Sequence, residues 1–228
     1  MHGLDLTAET PAENLALDEM LLDQAEAHSA ADGGPESPAN AEVLRVWEPR
    51  QNFVVVGRST NIEQEVDVAA CRTRGLPIVR RPSGGAAIVT GPGCYMYSLV
   101  LSYRRRPELR FIDRVHAYVA EAIVTELAKL IREVARAGTS DLAWQGKKFS
   151  GNSVRCKREH VLYHGTLLYD FPLDLIGAVL KLPPRQPDYR QARPHADFVT
   201  NLPLPVAELR DALCRAFAVT ELTKRLPL

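Results

Sequence analysis

A long helical pattern in the middle of the chain separates two groups of strand-like segments, and this order restricts the possible folds. Between Ile112 and Val134, apolar residues recur every three or four positions, as on the buried face of an amphipathic helix. The segments on either side mix strand and helix patterns and do not alternate strictly, as a doubly wound parallel sheet would require. The pattern therefore predicts an α+β fold with a largely antiparallel sheet.

The remaining elements are predicted from apolar periodicity and from the turn residues between the segments. Strands are predicted over Val43–Trp47, Phe53–Gly57, Ile78–Arg81, Ala86–Val89, Tyr95–Tyr103, Asp141–Trp144, Phe149–Lys157 and Val161–Tyr169. Helices are predicted over Val66–Arg74, Leu173–Lys181 and Val206–Phe217, with an irregular, proline-rich stretch from Pro183 to Pro205. A first helix opens at Thr10-Pro11-Ala12-Glu13, which combines a threonine cap, a proline and a glutamate at the favoured positions. Turn formers from Asp32 to Asn40 predict a mobile surface loop.

Composition indicates an ordinary soluble domain. The chain has 228 residues, 46% of them apolar, which suits one domain with a sizeable core. Lysine plus arginine equals aspartate plus glutamate at 28 each, so charge gives no support to nucleic-acid binding or to an anionic membrane surface. There is no signal-peptide pattern, no apolar run near the ~18 residues of a membrane span, and no metal-binding spacing among four cysteines. We expect a cytoplasmic protein with reduced thiols.

The segment Arg80-Arg81-Pro82-Ser83-Gly84-Gly85-Ala86 has a composition that suits ligand binding. Two glycines between predicted strands allow the backbone to approach a ligand and expose N–H groups, and adjacent arginines offer guanidinium forks for an anion. A tight hairpin with exposed arginines would have the same composition. This segment alone leaves both interpretations open.

A second segment, Gly146-Lys147-Lys148-Phe149-Ser150-Gly151-Asn152, leads a lysine into a strand that soon reaches small residues. Such a lysine can project its ammonium over a cleft, because the small residues leave room beneath it. A charged hairpin turn is the alternative, and this segment alone does not decide between the two.

The third segment is His164-Gly165-Thr166, inside the strand predicted over Val161–Tyr169. Glycine weakens an apolar strand unless another group must lie against its backbone. The histidine alternatively is a partly buried side chain whose hydrogen bonds are satisfied within the fold.

Together and in this order, the segments resemble the lipoate–protein ligase A family of the biotin/lipoate ligase superfamily. The resemblance runs from about Asn14 to about Asn201. It is carried by Asn14-Leu15-Ala16-Leu17-Asp18-Glu19, Val54-Val55-Val56-Gly57-Arg58, RRPSGGAAIV, GKKFSGNSVR and HGTLL. It implies the fold of a biotin/lipoate ligase catalytic domain, which is α+β with a mixed, largely antiparallel sheet flanked by helices and the ligand in a cleft over the sheet.

The resemblance also implies the family's activity. A member of this family activates lipoate or octanoate with ATP and Mg²⁺ to the acyl-adenylate. It then transfers the acyl group to a lysine of a carrier domain. The partners that this implies are lipoyl domains of 2-oxoacid dehydrogenase complexes or the H protein of glycine cleavage.

By the same resemblance, Lys148 is the catalytic lysine. A carboxylate that attacks the α-phosphate of ATP brings two anions together, and a positive group stabilises the charge that builds up in the transition state. The other positions implied for substrate and nucleotide binding are Arg58, Arg80, Arg81, Ser83, Gly84, Gly85, Ala86, Asp141, Ser150, Gly151, Asn152, His164, Gly165 and Thr166. Asp141 is also the implied ligand of the Mg²⁺ that would steady the departing pyrophosphate.

The sequence departs from the family pattern in three places. Ala86 stands where the family has a third glycine, and Ser140 precedes Asp141 where an asparagine is usual. Full-length bacterial ligases carry an accessory domain of roughly a hundred further residues, whereas this sequence stops soon after Asn201-Leu202. We expect residues 1–228 to form a single catalytic domain, with a core of about 12–202 and no separate C-terminal accessory domain. A separate accessory polypeptide then becomes a hypothesis.

Three other functions remain to be compared. An acyltransferase of the same superfamily would move octanoyl from an acyl carrier protein through a cysteine thioester. Its cysteine would lie in Gly138–Gln145 or Pro183–Asn201, which contain none, and we expect Cys94 and Cys156 to be inert. A biotin ligase would have a glycine- and arginine-rich adenylate loop that this chain does not reproduce. A binding module that has lost its chemistry is disfavoured because Lys148 is present.

Overall fold

The computed structural model describes residues 1–29 and 42–226, so the loop predicted from Asp32 to Asn40 lies outside the described residues. The helices are α1 (Pro11–Ser29), α2 (Ile62–Glu65), α3 (Val68–Thr73), α4 (Ile112–Leu127), α5 (Asp174–Val179), α6 (His195–Phe198) and α7 (Val206–Ala216). The strands are β1 (His2–Asp5), β2 (Val43–Trp47), β3 (Phe53–Val56), β4 (Ile78–Arg80), β5 (Ile88–Thr90), β6 (Cys94–Ser102), β7 (Val134–Ala137), β8 (Asp141–Trp144), β9 (Lys147–Ser150), β10 (Asn152–Cys156), β11 (His160–Leu168) and β12 (Leu222–Thr223). Short 3-10 turns cover Pro107–Arg110 and Asp188–Arg190.

The described strands form one large and two small sheets. The large sheet has the order β10-β11-β6-β2-β1-β12, in which β1 runs parallel to both of its neighbours and the other pairs are antiparallel. The small sheets have the orders β4-β3-β5 and β7-β8-β9, and β3 with β4 is their one parallel pair. Antiparallel pairs predominate, so the predicted α+β class with a mixed, largely antiparallel sheet flanked by helices is confirmed.

Helix α1 begins with the predicted capping box. The backbone N–H of Thr10 donates to the Glu13 carboxylate at 2.8 Å, and the N–H of Glu13 donates to the Thr10 hydroxyl at 3.2 Å. These two hydrogen bonds satisfy amide groups that have no partner within the helix, and they lower the pKa of Glu13.

Two layers of helices cover the large sheet, one on each face. Side chains of β6 alternate between the faces, since Leu99 and Leu101 join the core under α4 and α7 while Val100 joins the core under α1. Helix α4 contributes Val119 and Ile123, which are buried. Each such aliphatic side chain stabilises the fold by about 1.5–3 kcal/mol on full burial. A third core surrounds β3 and includes residues of α5.

The central helix is shorter than predicted. It ends at Leu127, and β7 starts at Val134, where the prediction was still helical. Glu133 has a left-handed backbone with a φ of 64°, which reverses the chain direction before the strand. Val134 is buried in the same core as α4. Val134 therefore fits the apolar spacing of the helix, although it belongs to a strand, and the predicted helix was too long for this reason.

The strand predicted over Phe149–Lys157 is two strands in different sheets. It is interrupted at Gly151: β9 pairs with β8 in a small sheet, and β10 pairs with β11 in the large sheet. The chain therefore passes from one sheet to another at Gly151. The apolar pattern continues across this position and does not reveal the change of sheet.

The glycine-containing segment is not a hairpin. Strands β4 and β5, on either side of it, do not pair with each other, because β3 lies between them. Residues Pro82 to Ala87 therefore form an open crossing loop, and the tight-hairpin interpretation is wrong.

Smaller differences concern element ends and short strands. The helix predicted over Val66–Arg74 begins at Val68, where Asp67 caps it. Strands β1, β7 and β12 were not predicted. Across the described ranges we find no helix that combines the length and the apolar character needed to cross a membrane.

Candidate functional site

A cavity of about 510 Å³ is lined by strands from all three sheets. Val55 and Val89 reach it from the β3 sheet, Met96 and His164 from the large sheet, and Lys148 from β9. A volume of this size suits a small organic ligand. The point where the sheets meet is therefore the candidate site.

One part of the cavity wall is aliphatic and aromatic. Its side chains include Val55, Val89, Met96, Leu168, Ile176 and Phe198. An alkyl chain placed against such a surface gains about 0.8 kcal/mol for each buried CH₂ group. The site can therefore take a ligand with an aliphatic tail.

Lys148 brings a positive charge into the same cavity. Its ammonium lies 2.7 Å from Oδ1 of Asp141, and 27% of its side chain is exposed. A Cβ atom added at Gly151 would lie 3.0 Å from both Cε and Nζ of Lys148. The glycine therefore leaves the room for the ammonium that the sequence predicted.

Asp141 holds two donors at once. Its Oδ1 pairs with Lys148, and its Oδ2 accepts a hydrogen bond of 2.7 Å from the Tyr189 hydroxyl. Burial, followed by the negative charge of Asp141, raises the pKa of Tyr189, so its phenol remains a donor at neutral pH. Tyr189 was not predicted as a site residue.

The guanidinium groups of the two adjacent arginines donate to backbone carbonyl oxygens in this structure, and their binding of an anion stays a prediction. Arg80 donates to the carbonyl oxygens of Gly57, Arg58 and Thr60 at 2.5–3.2 Å. These carbonyls lie beyond the end of β3, and the carbonyl of Gly57 also accepts from the N–H of Thr60 at 3.1 Å. Arg80 therefore fastens the turn after β3 and does not line the cavity.

Arg81 is buried and serves the crossing loop itself. Its guanidinium donates to the carbonyls of Gly84 at 2.6 Å and Ala86 at 2.9 Å, and to the Ser83 hydroxyl at 3.2 Å. Burial lowers the pKa of Arg81 to about 10, against a smaller opposing effect of Glu65. Arg81 thus stabilises the loop from within. A Cβ atom at position 85 would lie only 2.9 Å from Nη2 of Arg81, which explains why this position is a glycine.

A chain of hydrogen bonds connects this loop to the large sheet. Ser83 Oγ lies 2.5 Å from Nε2 of His164, and Nδ1 of His164 lies 3.4 Å from the Asp18 carboxylate. Arg81 also donates to the Ser83 hydroxyl, so this oxygen contacts both the guanidinium and the ring of His164. His164 is therefore held on both ring nitrogens.

Asp18 and Arg45 anchor the far end of this chain, and neither was predicted as a site residue. Arg45 pairs with Asp18 at 2.6 Å, with both side chains almost fully buried, and Ser98 donates to Asp18 at 2.8 Å. Burial alone would raise the pKa of Asp18, but the bonds from His164, Arg45 and Ser98 outweigh it and lower the pKa. An arginine inside the apolar run of β2 was the sequence feature that indicated a buried partner.

Asn152 fixes the position of the β7–β8 turn. Its side chain accepts from the Tyr97 hydroxyl at 2.6 Å and donates to the carbonyl of Ser140 at 2.6 Å. A Cβ at Gly165 would lie 1.7 Å from Oδ1 of Asn152, so only glycine allows this packing. Asn152 also donates to the Ser150 hydroxyl at 3.1 Å. Ser140 precedes Asp141, and Asn152 therefore positions the carboxylate partner of Lys148.

The structure brings most of the predicted site residues to the cavity. Those that line it are Arg81, Gly85, Ala86, Asp141, Lys148, Ser150, Gly151, Asn152, His164, Gly165 and Thr166. The predicted residues outside this lining are Arg58, Arg80, Ser83 and Gly84. Thr166 accepts from the N–H of Gly151 at 3.2 Å. Arg58 is exposed.

A basic rim, defined by Lys181, Arg185 and Arg190, also lines the cavity and was not predicted. Arg190 is buried, with its guanidinium 4.6 Å from the centre of the Phe198 ring. It donates to Nδ1 of His195 at 3.3 Å, which leaves the Nε2 proton of His195 to the carbonyl of Lys181 at 3.3 Å. The rim supplies positive charge for an anionic ligand. Its arginines stand in the stretch that the sequence predicted only as irregular.

Magnesium has no ready-made site of protein ligands here. Both oxygens of Asp141 already have donors, Lys148 and Tyr189, and Glu65 accepts from the N–H of Ala87. Within residues 1–29 and 42–226, we find no group of three His, Cys, Asp or Glu side chains arranged for a metal ion. A single carboxylate that is already engaged does not fit a magnesium site built by the protein alone.

Known proteins resemble this chain over most of its length. Residues 10–225 match the family described as Lipoyl protein ligase A/B catalytic domain. The putative lipoate-protein ligase A of Aeropyrum pernix is 28% identical over 72% of this chain and 56% of its own length. Lipoate-protein ligase A subunit 1 of Thermoplasma acidophilum is 26% identical over 78% of this chain and 71% of its own. Octanoyltransferase LipM of Geobacillus kaustophilus is 22% identical over 91% of this chain and 81% of its own length.

The chain spans about half, or less, of the first ligases that it matches. The share is 56% for the Aeropyrum protein and 37% for the probable ligase of Mycoplasma pneumoniae. Two solved structures are similar over 96% of this chain at 25% identity. One is a putative lipoate protein ligase of T. acidophilum with bound lipoic acid, with a TM-score of 0.69 over 84% of that chain. The other is a lipoate-protein ligase A bound with ATP, with a TM-score of 0.68 over 85% of that chain.

Proposed function

Because the chain belongs to the lipoyl protein ligase A/B catalytic domain family, we propose that it is an ATP-dependent lipoate–protein ligase. It would activate lipoate or octanoate as the acyl-adenylate and transfer the acyl group to a lysine of a carrier domain. The observation that carries this proposal is the ammonium of Lys148, which lies above Gly151 in a cavity that is aliphatic on one part and basic on another.

The first step joins two anions. The carboxylate of the acid attacks the α-phosphorus of ATP, a new O–P bond forms, and the bond to pyrophosphate breaks, with its electron pair leaving on pyrophosphate. Lys148 can exchange Asp141 for the reacting oxygens, since its ammonium is partly exposed to the cavity. Removing one preorganised group of this kind costs on the order of 10²–10³ in rate.

The two parts of the cavity match the two substrates. The aliphatic wall, which includes Met96 and Leu168, suits an eight-carbon acyl chain, and the basic rim suits the phosphates of a nucleotide. The relative with bound lipoic acid and the one bound with ATP support the choice of these two substrates. Ala86 lines the cavity where a third glycine was expected.

The second step needs no nucleophile from this chain. The ε-amine of the carrier lysine attacks the acyl carbon, the C–O bond to the phosphate breaks, and AMP leaves with its electron pair. The adenylate is a mixed anhydride, so water must be kept from it between the steps. The crossing loop, held in place by Arg81 and by Ser83 with His164, supplies a fixed wall for this purpose.

A magnesium requirement is part of this proposal, although the described residues supply no cage for the ion. Magnesium commonly keeps several waters and binds mainly through substrate phosphates with one or two carboxylates. Any such ion would have to arrive with ATP. Dependence of the first step on added magnesium, measured after treatment with a chelator, tests this point directly.

The second candidate is an acyltransferase that uses octanoyl-acyl carrier protein. One observation favours it: the match to octanoyltransferase LipM covers 81% of that enzyme, more than the matches to the first ligases. The thiols argue against a cysteine mechanism. None of the four cysteines lines the cavity, and burial raises the pKa of Cys94 to about 12. We therefore favour the ligase.

Exchange of label between pyrophosphate and ATP tests the proposal. We expect the purified chain to catalyse this exchange when lipoate or octanoate is added, and mass spectrometry to detect the acyl-AMP. Transfer from octanoyl-acyl carrier protein without ATP, together with no acid-dependent exchange, would replace the ligase with the transferase. Absence of both activities, with retained binding of lipoate, would indicate a binding module.

We also propose that carrier transfer involves a separate accessory polypeptide. The relative named as subunit 1 of a ligase supports this. The carriers would be lipoyl domains of 2-oxoacid dehydrogenase complexes or the glycine cleavage H protein. Adenylation and carrier lipoylation should be measured with and without a candidate partner. Full turnover of both steps by this chain alone would reject the dependence.

A further inference from the structure

Tyr189 reaches Lys148 through Asp141. Tyr189 lies in the 3-10 turn Asp188–Arg190, and its hydroxyl donates to Oδ2 of Asp141 at 2.7 Å. The other oxygen of the same carboxylate lies 2.7 Å from the ammonium of Lys148. One carboxylate therefore joins a phenol from outside the sheet to the lysine on β9.

The ring of Tyr189 is held on two sides. Its centre lies 5.1 Å from that of Phe198, and a Cβ added at Gly138 would come within 3.3 Å of the ring. Gly138 has a φ of 54°, a left-handed conformation that favours glycine in any case. The hydroxyl therefore has a fixed position relative to the β7–β8 turn, where Asp141 begins the next strand.

The segment that carries Tyr189 is fastened to the lysine hairpin itself. Arg193 donates to the carbonyl of Gly146 at 3.2 Å, and the N–H of Thr200 donates to the carbonyl of Lys148 at 2.9 Å. The phenol and the ammonium are thus parts of one rigid frame, with Asp141 between them.

We propose that Tyr189 is a positioning residue for Lys148, acting through the carboxylate of Asp141. This inference rests on the proposed ligase function for its catalytic consequence. A carboxylate with a single partner can rotate, whereas one that accepts from two fixed donors keeps its orientation. Oδ1 of Asp141, the oxygen that does not accept from Tyr189, then holds the flexible lysine side chain above Gly151. This is the place where the reacting anions would meet.

The same bond serves when a substrate enters. Lys148 has three N–H donors and can turn them from Asp141 toward an incoming anion, and a largely buried carboxylate that loses a partner is unfavourable. Asp141 keeps the Tyr189 hydroxyl during this exchange, so the ammonium is released at a smaller free-energy cost. The effect belongs to the reaction step, and it therefore changes kcat more than the KM of either substrate.

The chain offers a matched control. The hydroxyl of Tyr169 donates to the Glu48 carboxylate at 2.7 Å, the same distance as in the Tyr189 pair. Neither Tyr169 nor Glu48 belongs to the cavity lining. Tyr169→Phe removes the same kind of hydrogen bond at a place with no link to Lys148.

The experiment combines kinetics with chemical labelling of lysines. For Tyr189→Phe, we expect kcat of acid-dependent adenylation to fall roughly tenfold or more, with unchanged KM values for ATP and lipoate. Competitive acylation, read by mass spectrometry, should show Lys148 reacting faster relative to its exposed neighbour Lys147. In an Asp141→Asn background, adding Tyr189→Phe should change this ratio no further.

Each outcome separates the two proposals. An unchanged labelling ratio in Tyr189→Phe, or the same loss of kcat in Tyr169→Phe, would overturn the positioning role. The labelling needs no activity, so it remains decisive if the wild-type chain makes no adenylate. In that case a changed ratio would uphold the role of Tyr189, while the ligase function would fail by itself.

Discussion

Removal of the Lys148 ammonium should separate catalysis from stability. Exposed ion pairs contribute about 0–1 kcal/mol, and breaking a fully buried pair costs about 3–5 kcal/mol. The Lys148 side chain is 27% exposed and that of Asp141 11%, and Asp141 retains the hydroxyl of Tyr189 after Lys148→Ala. We therefore expect the free energy of unfolding to fall by only about 1–2 kcal/mol. The rate of adenylation should fall by roughly 10²–10³ or more.

Two measurements on the same preparation test this expectation. Urea denaturation gives the change in the free energy of unfolding, and lipoate-dependent exchange between ATP and pyrophosphate gives the rate. Lys147→Ala is the matched control, because Lys147 is adjacent on β9 and exposed. It should alter neither quantity noticeably.

The reasoning would be refuted by either of two results. Exchange in Lys148→Ala at a rate close to that of the wild type would show that the ammonium does not stabilise the transition state. Equal loss of exchange in Lys147→Ala would show that general positive charge at this hairpin matters, and that the position above Gly151 does not.

Three further outcomes follow from contacts described above. Asp18→Asn leaves the buried Arg45 without its charged partner and should lower the free energy of unfolding by about 3–5 kcal/mol in urea titrations. Gly165→Ala places a Cβ 1.7 Å from Oδ1 of Asn152, which must leave its position, so kcat of adenylation should fall. Burial lowers the pKa of His195, so its neutral form contributes stability above about pH 6.5, the usual value when unfolded. That contribution is lost as the pH falls through the lower folded pKa, and His195→Gln should reduce the loss of stability between pH 7 and 5.

Each of these outcomes has its own control. Asp23→Asn changes an exposed carboxylate and should cost less than about 1 kcal/mol; an equal loss at both positions would contradict the buried-pair argument. Gly177→Ala adds a methyl group with no atom within 4 Å, and a comparable fall in kcat there would remove the steric explanation. For His195, an unchanged pH dependence of unfolding in the glutamine variant would assign the effect to other groups.

The elements that were predicted correctly are those whose apolar residues repeat with a regular period. Strand β6 alternates and α4 has one buried stripe, and both were found near the predicted positions. The end of α4 was missed because Val134 is buried against the same core from within a strand. The two-residue strand β12 is too short to show a period at all.

The sequence predicted site residues only where a residue type is unusual for the secondary structure predicted around it. Gly165 was found because glycine inside a strand needs a reason, and Gly151 because small residues leave room beneath a lysine; each lies close to another side chain. Tyr189 and the basic rim were missed because they lie in an irregular segment, where contacts are set by tertiary packing. The carbonyl partners of Arg81 were not predicted either, since the sequence does not show which carbonyls it would contact.

The use that Arg81 makes of its guanidinium has a consequence for affinity. A glycine-containing loop that became ordered only around its ligand would lose backbone entropy on binding. This loss would raise the dissociation constant. Here the crossing loop is tied to its own side chain, with bonds from Arg81 to Gly84 and Ala86. Its ordering is completed during folding of the protein, so a ligand meets a wall that already has its final shape.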